Sequence, residues 1–328
     1  MSQVVVFQSP FADKLEAFIA YKRALGMRYG SEAYHIKCFD RWCAEQQVPQ
    51  AVLTQEVAEG WCRKRPGEKA KTQSIRQSVL RQLAHFLNEG GDTAYVLPLE
   101  KHFRQSQSFS PYIFSRKEIA ILFKVADEIT SKEISPYLYE IVPMVMRLLY
   151  CCGLRSSEAR NIKRCDVNLD DGVLTILNSK NAKDRLVPMS ADLMQYMRGY
   201  CRRMKLLCPD SEYLFPNRDG KLLNRKVIYM QFRSLLKATG IPHYGRGRGP
   251  RVHDLRHTFA VHSMMKLDKE GMDLYTTLPI LSVYMGHSGV QSTEKYLRLT
   301  AEVYPEIVAQ MQAAHGDIIP LARKEATQ

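Results

Sequence analysis

The chain has 328 residues, 45% of them hydrophobic, which is enough for two domains with separate cores and too apolar for a disordered protein. The formal net charge is +13 with a pI near 9.3, so a polyanionic partner is expected, though charge alone does not separate DNA from RNA or a membrane surface. The eight cysteines form no CxxC pair and read as buried or free thiols in a reducing cytoplasm. "MSQVVVFQSP" lacks a signal-peptide core, and the longest apolar stretch, "IVPMVMRLLYCCGL", is cut by Arg147 and too short to span a bilayer, so no membrane is expected.

The first hundred residues read as all-helical. Ser9 and Pro10 are expected to cap and open "FADKLEAFIAYKRAL", which Gly26 closes. "SEAYHIKCFDRWCAEQQ" has helical apolar spacing through Tyr34, Cys38 and Trp42. Thr54 is the expected cap of "QEVAEGWCRKR". Ile75, Val79, Leu83, Phe86 and Leu87 mark a fourth helix that stops at Gly-Gly. Up to residue 108 there are 15 Lys plus Arg against 11 Asp plus Glu, so most of the net charge lies further along.

The polar stretch 97–111 has little periodicity and carries the expected linker, which divides a helical domain (1–104) from a second domain (112–328) at 105–111. Ser115 and Glu118 form a capping box for the next helix. "YLYEIVPMVMRLLYCC" reads as a buried helix ending at Gly153, with a short helix from Ser156 or Ser157 after it. "GVLTIL" and "RLVPM" are strand-like and joined by the polar turn "NSKNAKD". Further helices are expected over 190–207, 224–239, 254–267 and 277–285. The fold class is therefore mainly α with a small antiparallel β-sheet in the second domain.

"RVHDLRHTFAVH" packs three histidines and two arginines into twelve residues. His253 and His257 stand four apart, as in a zinc pair. No Glu follows His253, however, and Arg256 would put a fixed cation at the site. His257 and His262 read as helix residues satisfied by packing. Elsewhere Arg155 follows a Gly turn, Lys180 tops the hairpin, and His287 precedes Tyr296 in "YMGHSGVQSTEKYLRLT". Each alone is unremarkable.

In the order Arg155, Lys180, His253, Arg256, His287, Tyr296 they resemble the tyrosine recombinase (integrase) family. "GLRSSEA" is similar to its first arginine box and "NSKNAKDRLVPM" to its hairpin lysine segment. "HDLRHTFAVH" is similar to the second box and "MGHSGVQSTEKYLRL" to the last; together the likeness covers residues 112–300. It implies a helical core-binding domain ahead of a mixed catalytic domain. It also implies DNA phosphodiester cleavage by Tyr296, with Arg155 and Arg256 on the non-bridging oxygens. His253 becomes the base, Lys180 the general acid and His287 a phosphate support. Glu158 matches a frequent acidic position, where an orienting contact is expected; no role carries over to Asp254. Two guanidiniums supply the charge that Mg²⁺ gives other phosphoryl-transfer enzymes, so neither metal nor nucleotide is expected as a cofactor.

The expected partner is double-stranded DNA. Arg246, Arg248 and Arg251 in "HYGRGRGPR", Arg225 and Lys226 at an Asn224-capped helix, and Lys64, Lys71 and Arg76 in the first domain are the candidate contacts. Homo-oligomers are expected too, a dimer on one site and a tetramer in the synapse, with a second related recombinase as a further candidate partner. The tail through Val303, Ile307, Val308 and Met311 would pack on a neighbour. No arm-binding segment is read before Ser9. The 34 residues from His253 to His287 suggest an enlarged connection at "KLDKEGMDLYTTLP". The setting leans to a mobile element, with work in the cytoplasm on the bacterial nucleoid. A chromosome-dimer resolvase of the Xer type, a phage integrase, a type IB topoisomerase and a non-cleaving accessory protein stay open.

Overall fold

The computed structural model describes residues 6–27, 29–99, 111–130, 136–177, 184–245, 249–287 and 293. The chain forms two compact units, residues 1–108 and 109–328. Of the expected linker only Pro111 is described.

Among its described residues the first unit holds four helices: α1 (Ala12–Ala24), α2 (Gly30–Glu45), α3 (Gln55–Cys62) and α4 (Ala70–Glu89). Their apolar stripes bury Phe11, Phe18, Ile36, Phe39, Trp61, Leu80 and Leu83 in one core. Thr54 caps α3, its side chain accepting from the Val57 N–H at 3.3 Å. α1 starts later than its sequence suggests. Ser9 is buried, its N–H donates to the Asp40 carboxylate at 2.9 Å, and its hydroxyl accepts from the Phe11 N–H at 3.3 Å. Residues 9–11 therefore form a local turn, which a serine favours as readily as a cap.

The second unit opens with α5 (Arg116–Asp127), capped by the reciprocal Ser115–Glu118 box. Then come α6 (Leu138–Cys151), α7 (Ser156–Asn161) and a 3-10 turn over Arg164–Asp166. α6 buries Ile141, Val142, Met144, Val145, Met146, Leu148 and Leu149 in the core and turns Glu140 and Arg147 outward to ion pairs with Arg203 and Asp127. Three short strands follow in antiparallel order β1-β2-β3: β1 (Val167–Asn168), β2 (Val173–Ile176) and β3 (Arg185–Pro188). Leu174 pairs with Val187 and both are fully buried, which fixes the register.

α8 (Ala191–Leu207), α9 (Arg225–Ala238), α10 (Asp254–Lys269) and α11 (Leu274–Met285) complete the described residues. Ser190 caps α8 and Asn224 caps α9. The enlarged connection is mostly helix. α10 runs to Lys269 and α11 begins at Leu274, where Asp273 accepts from the Thr276 N–H at 3.0 Å. Leaving four residues between them, the two helices pack on each other through Val261, Met264, Leu278, Leu281 and Met285. All eight cysteines are free. Among the described residues no helix is long and apolar enough to cross a membrane.

Candidate active site

α6 ends on a glycine for a steric reason. Gly153 has φ +58°, and a Cβ there would meet the Phe259 ring at 2.3 Å. The turn aims the Gly153 carbonyl at Arg256, whose Nη1 donates to it at 2.6 Å. Two residues on, Arg155 is the N-cap of α7, and its own N–H donates to Glu158 at 2.9 Å. The Arg155 side chain folds over the same carboxylate, with Nη1 at 2.5 Å from Oε1.

Glu158 is the hub. Its side chain is 3% exposed, and Arg185 from β3 grips both oxygens, at 3.1 and 2.9 Å. Arg256 stands 3.8 Å away. Burial pushes the carboxyl's pKa up, but hydrogen bonds from Arg185 and the Arg155 N–H, and the charges of both arginines, outweigh it and hold the pKa down at about 2.

The turn after α11 supplies the other wall. Arg256 Nη2 donates to the Met285 carbonyl at 2.7 Å, and Arg155 Nη2 to the Gly286 carbonyl at 3.0 Å. His287 follows directly, with Nδ1 at 2.8 Å from the buried Thr293 hydroxyl. Burial, then the charges of Arg256 and Arg155, lower its pKa to about 4. His253 sits at the N-cap of α10 with its ring 4.7 Å from that of His257, edge to face. Burial, then the His257 and Arg256 charges, bring His253 to about 4 as well. Both imidazoles are therefore neutral at pH 7. The result is a water-poor patch with fixed cations and neutral imidazoles, suited to an anion that gains charge during reaction. No group of three or more His, Cys, Asp or Glu able to hold a metal occurs among the described residues.

The family model described as the phage integrase family matches residues 113–302. The chain belongs to the phage integrase family. It is 29% identical over 316 residues to the putative integrase/recombinase y4rB of Sinorhizobium fredii, covering 94% of this chain and 99% of that one. It is 33% identical over 241 residues to the tyrosine recombinase XerA of Thermococcus kodakarensis, covering 69% of this chain and 78% of that one. In fold it is similar to the Tn1549 transposon integrase solved with transposon right-end DNA, with a TM-score of 0.61 at 15% identity over 92% of this chain and 98% of that one. The chain is thus a tyrosine-type DNA recombinase, mainly helical with a small antiparallel sheet.

Of the six residues assigned to chemistry from sequence, this integrase-family fold brings Arg155, His253, Arg256 and His287 together. Lys180 and Tyr296 lie outside the described residues, as do the tail and, among the DNA candidates, Arg246 and Arg248. Arg225, Lys226, Lys64 and Lys71 are exposed. Arg251 donates to Asp254 at 2.9 Å and is 38% exposed. Asp254, with no role assigned from sequence, is fully buried and ties that arginine and its N–H to the start of α10.

One candidate is corrected. Arg76 is 2% exposed and is not a phosphate contact. Its guanidinium donates to Glu68 at 2.9 and 2.6 Å, to the Arg63 carbonyl at 3.1 Å and to the Trp61 carbonyl. It shares the inward face of α4 with Val79, Leu80 and Leu83, so helix phase turns it into the core. His262 is structural as expected, with Nδ1 at 2.8 Å from the Tyr150 hydroxyl. His257 is less remote than its sequence suggests, since it faces His253 and its charge acts on His287. Sequence reasoning missed Arg185 altogether. Its only signal is a basic residue opening a strand, which is common on any protein surface.

Proposed function

We propose that the protein is a site-specific recombinase that cuts and rejoins DNA through a covalent 3′-phosphotyrosyl intermediate. The convergence of Arg155 and Arg256 on one buried carboxylate, with His287 in the field of both arginines, carries this reading. In the proposed step the Tyr296 hydroxyl oxygen attacks phosphorus and the bond to the 5′ oxygen breaks. The phenol proton passes to His253, and Lys180 protonates the leaving 5′ oxygen, so charge and protons balance. His253 suits the role because it is neutral, and a bound phosphate's negative charge raises its proton affinity. Arg155 and Arg256 meet the charge that grows on the non-bridging oxygens. No metal or nucleotide takes part. Rejoining reverses the step with another strand's 5′ hydroxyl.

The proposed setting is integration, excision or transposition of a mobile element, in the cytoplasm on nucleoid DNA. There one dimer holds each site and a tetramer forms the synapse. The near full-length likeness to a putative integrase/recombinase supports this. A resolvase role is the second reading, favoured by the likeness to XerA. Incubating the protein with DNA of the parent genome, denaturing, and sequencing the DNA covalently attached tests both. Adducts at the two ends of one element are expected. Adducts at a single chromosomal site would favour resolution. A Tyr296→Phe variant that still forms adducts would remove that residue from the mechanism.

A further inference from the structure

Arg185 has no assigned part in the chemistry, yet it is buried at the centre of the site. It is 8% exposed, and it grips both oxygens of Glu158 while its Nε donates to the Tyr284 carbonyl at 2.9 Å. Gly286 lies flat against it. A Cβ on Gly286 would stand 2.8 Å from Arg185 Nη1, so a larger residue there would push the guanidinium from its place. The residue thereby links β3, α7 and the turn that carries His287.

The consequence concerns charge. Glu158 lies within 2.5 Å of Arg155, 2.9 Å of Arg185 and 3.8 Å of Arg256. Without Arg185, its negative charge would fall to Arg155 and Arg256 alone. Those two would then meet a phosphate with part of their field cancelled. With Arg185 in place the carboxylate is matched one for one, in the bidentate geometry that suits a guanidinium. Among these four side chains two positive charges remain in excess, matching the charge of a dianionic pentacoordinate phosphate. The imidazoles of His253 and His287, being neutral, do not alter the count.

We infer that Arg185 is a positioning residue that neutralises Glu158, so that Arg155 and Arg256 keep their charge and geometry for the scissile phosphate. This rests on the recombinase reading above. It adds that the site needs a third, non-contacting arginine to set its net charge.

The test uses the full-length protein and a nicked duplex bearing a cleavage sequence recovered by the adduct mapping. One version carries a normal scissile phosphate and one a methylphosphonate, which lacks a negative charge there. Arg185→Met should slow adduct formation on the phosphodiester by about 10²-fold, the usual cost of losing one preorganised electrostatic partner. The loss on the methylphosphonate should be smaller by about tenfold or more, because less charge needs stabilising there. Arg185→Lys, which keeps the charge, should recover most of the rate. The double variant Glu158→Gln/Arg185→Met restores the net charge and should be faster than Arg185→Met alone. Equal losses on both duplexes, or a double variant no faster than the single one, would overturn the inference. The double variant decides should the methylphosphonate duplex give no adduct even with the parent. If the parent enzyme itself forms no adduct on the phosphodiester, the recombinase reading is what has failed.

Discussion

Arg256 Nη1 meets the Gly153 carbonyl at 2.6 Å, across 103 residues of sequence. That one hydrogen bond ties the end of the central helix α6 to the first turn of α10, and so ties the two arginine boxes to each other. It depends on a carbonyl that only a left-handed residue aims correctly.

Replacing Gly153 tests that dependence. Gly153→Ala incurs a strained φ and an overlap with the Phe259 ring, while Gly240→Ala, at φ +73°, has nothing within 4 Å of its new Cβ. The second change should cost about 1–2 kcal/mol and the first roughly 1–3 kcal/mol more. Urea unfolding of both variants measures the difference. Adduct formation should fall for Gly153→Ala and hold for Gly240→Ala. Equal stability losses would mean that the ring moves aside without cost.

Arg76 and its exposed neighbours should separate cleanly. Arg76→Ala strands Glu68, whose side chain is 8% exposed, without its partner. Breaking a buried pair from one side costs about 3–5 kcal/mol, so thermal unfolding should occur at a clearly lower temperature. Lys64→Ala and Lys71→Ala should leave stability within about 0.5 kcal/mol. Each that lies on DNA should instead lower the slope of log affinity against log salt by about 0.9. An unchanged slope in both would remove that stretch from the interface.

Acid should act in two windows. His253 and His287 fold with pKa values near 4, below the usual 6.5. Between those values the unfolded chain binds the extra protons, so stability falls as pH drops from 6.5 towards 4. Glu158, held near 2 against the usual 4.5, acts lower down: its contribution is present above 4.5 and lost as pH falls towards 2. A melting-temperature series should decline through both windows. His287→Gln should make the upper decline shallower without removing it, because His253 still titrates there, and leave the lower one in place. A flat profile between pH 6.5 and 4.5 in the parent protein would show that the imidazoles are not held neutral.

How much of this was legible in the chain depends on range. The Ser115–Glu118 box, the caps at Thr54 and Asn224, and the buried run of α6 were readable because each is local. β1 was not, since two residues carry no periodicity and only pairing with β2 makes them a strand. Arg76 was misread because basic composition does not report helix phase, and phase decides whether an arginine faces water or the core. Arg185 was invisible because its meaning lies in a carboxylate 27 residues away. Arg155 and Arg256 were found through family likeness. Their backbone anchors at Gly153, Met285 and Gly286 could come only from the fold.

The leaving-group proton gives the last prediction. β3 begins at Arg185, an anchor that Glu158 locks to α7. Lys180 lies five residues upstream of that anchor. If it protonates the 5′ oxygen, Lys180→Ala should slow cleavage of ordinary DNA by about 10²–10⁴-fold, the range for a lost general acid. A 5′-bridging phosphorothiolate leaves as a thiolate and needs no proton. On that strand the variant should cleave at nearly the parent rate, since phosphate binding by Arg155 and Arg256 is untouched. Excess chelator should slow neither strand, because in the proposed mechanism the charge comes from guanidiniums. Equal impairment on both strands would move the role to Lys183. Loss of parent activity with chelator would replace the guanidinium account with a metal.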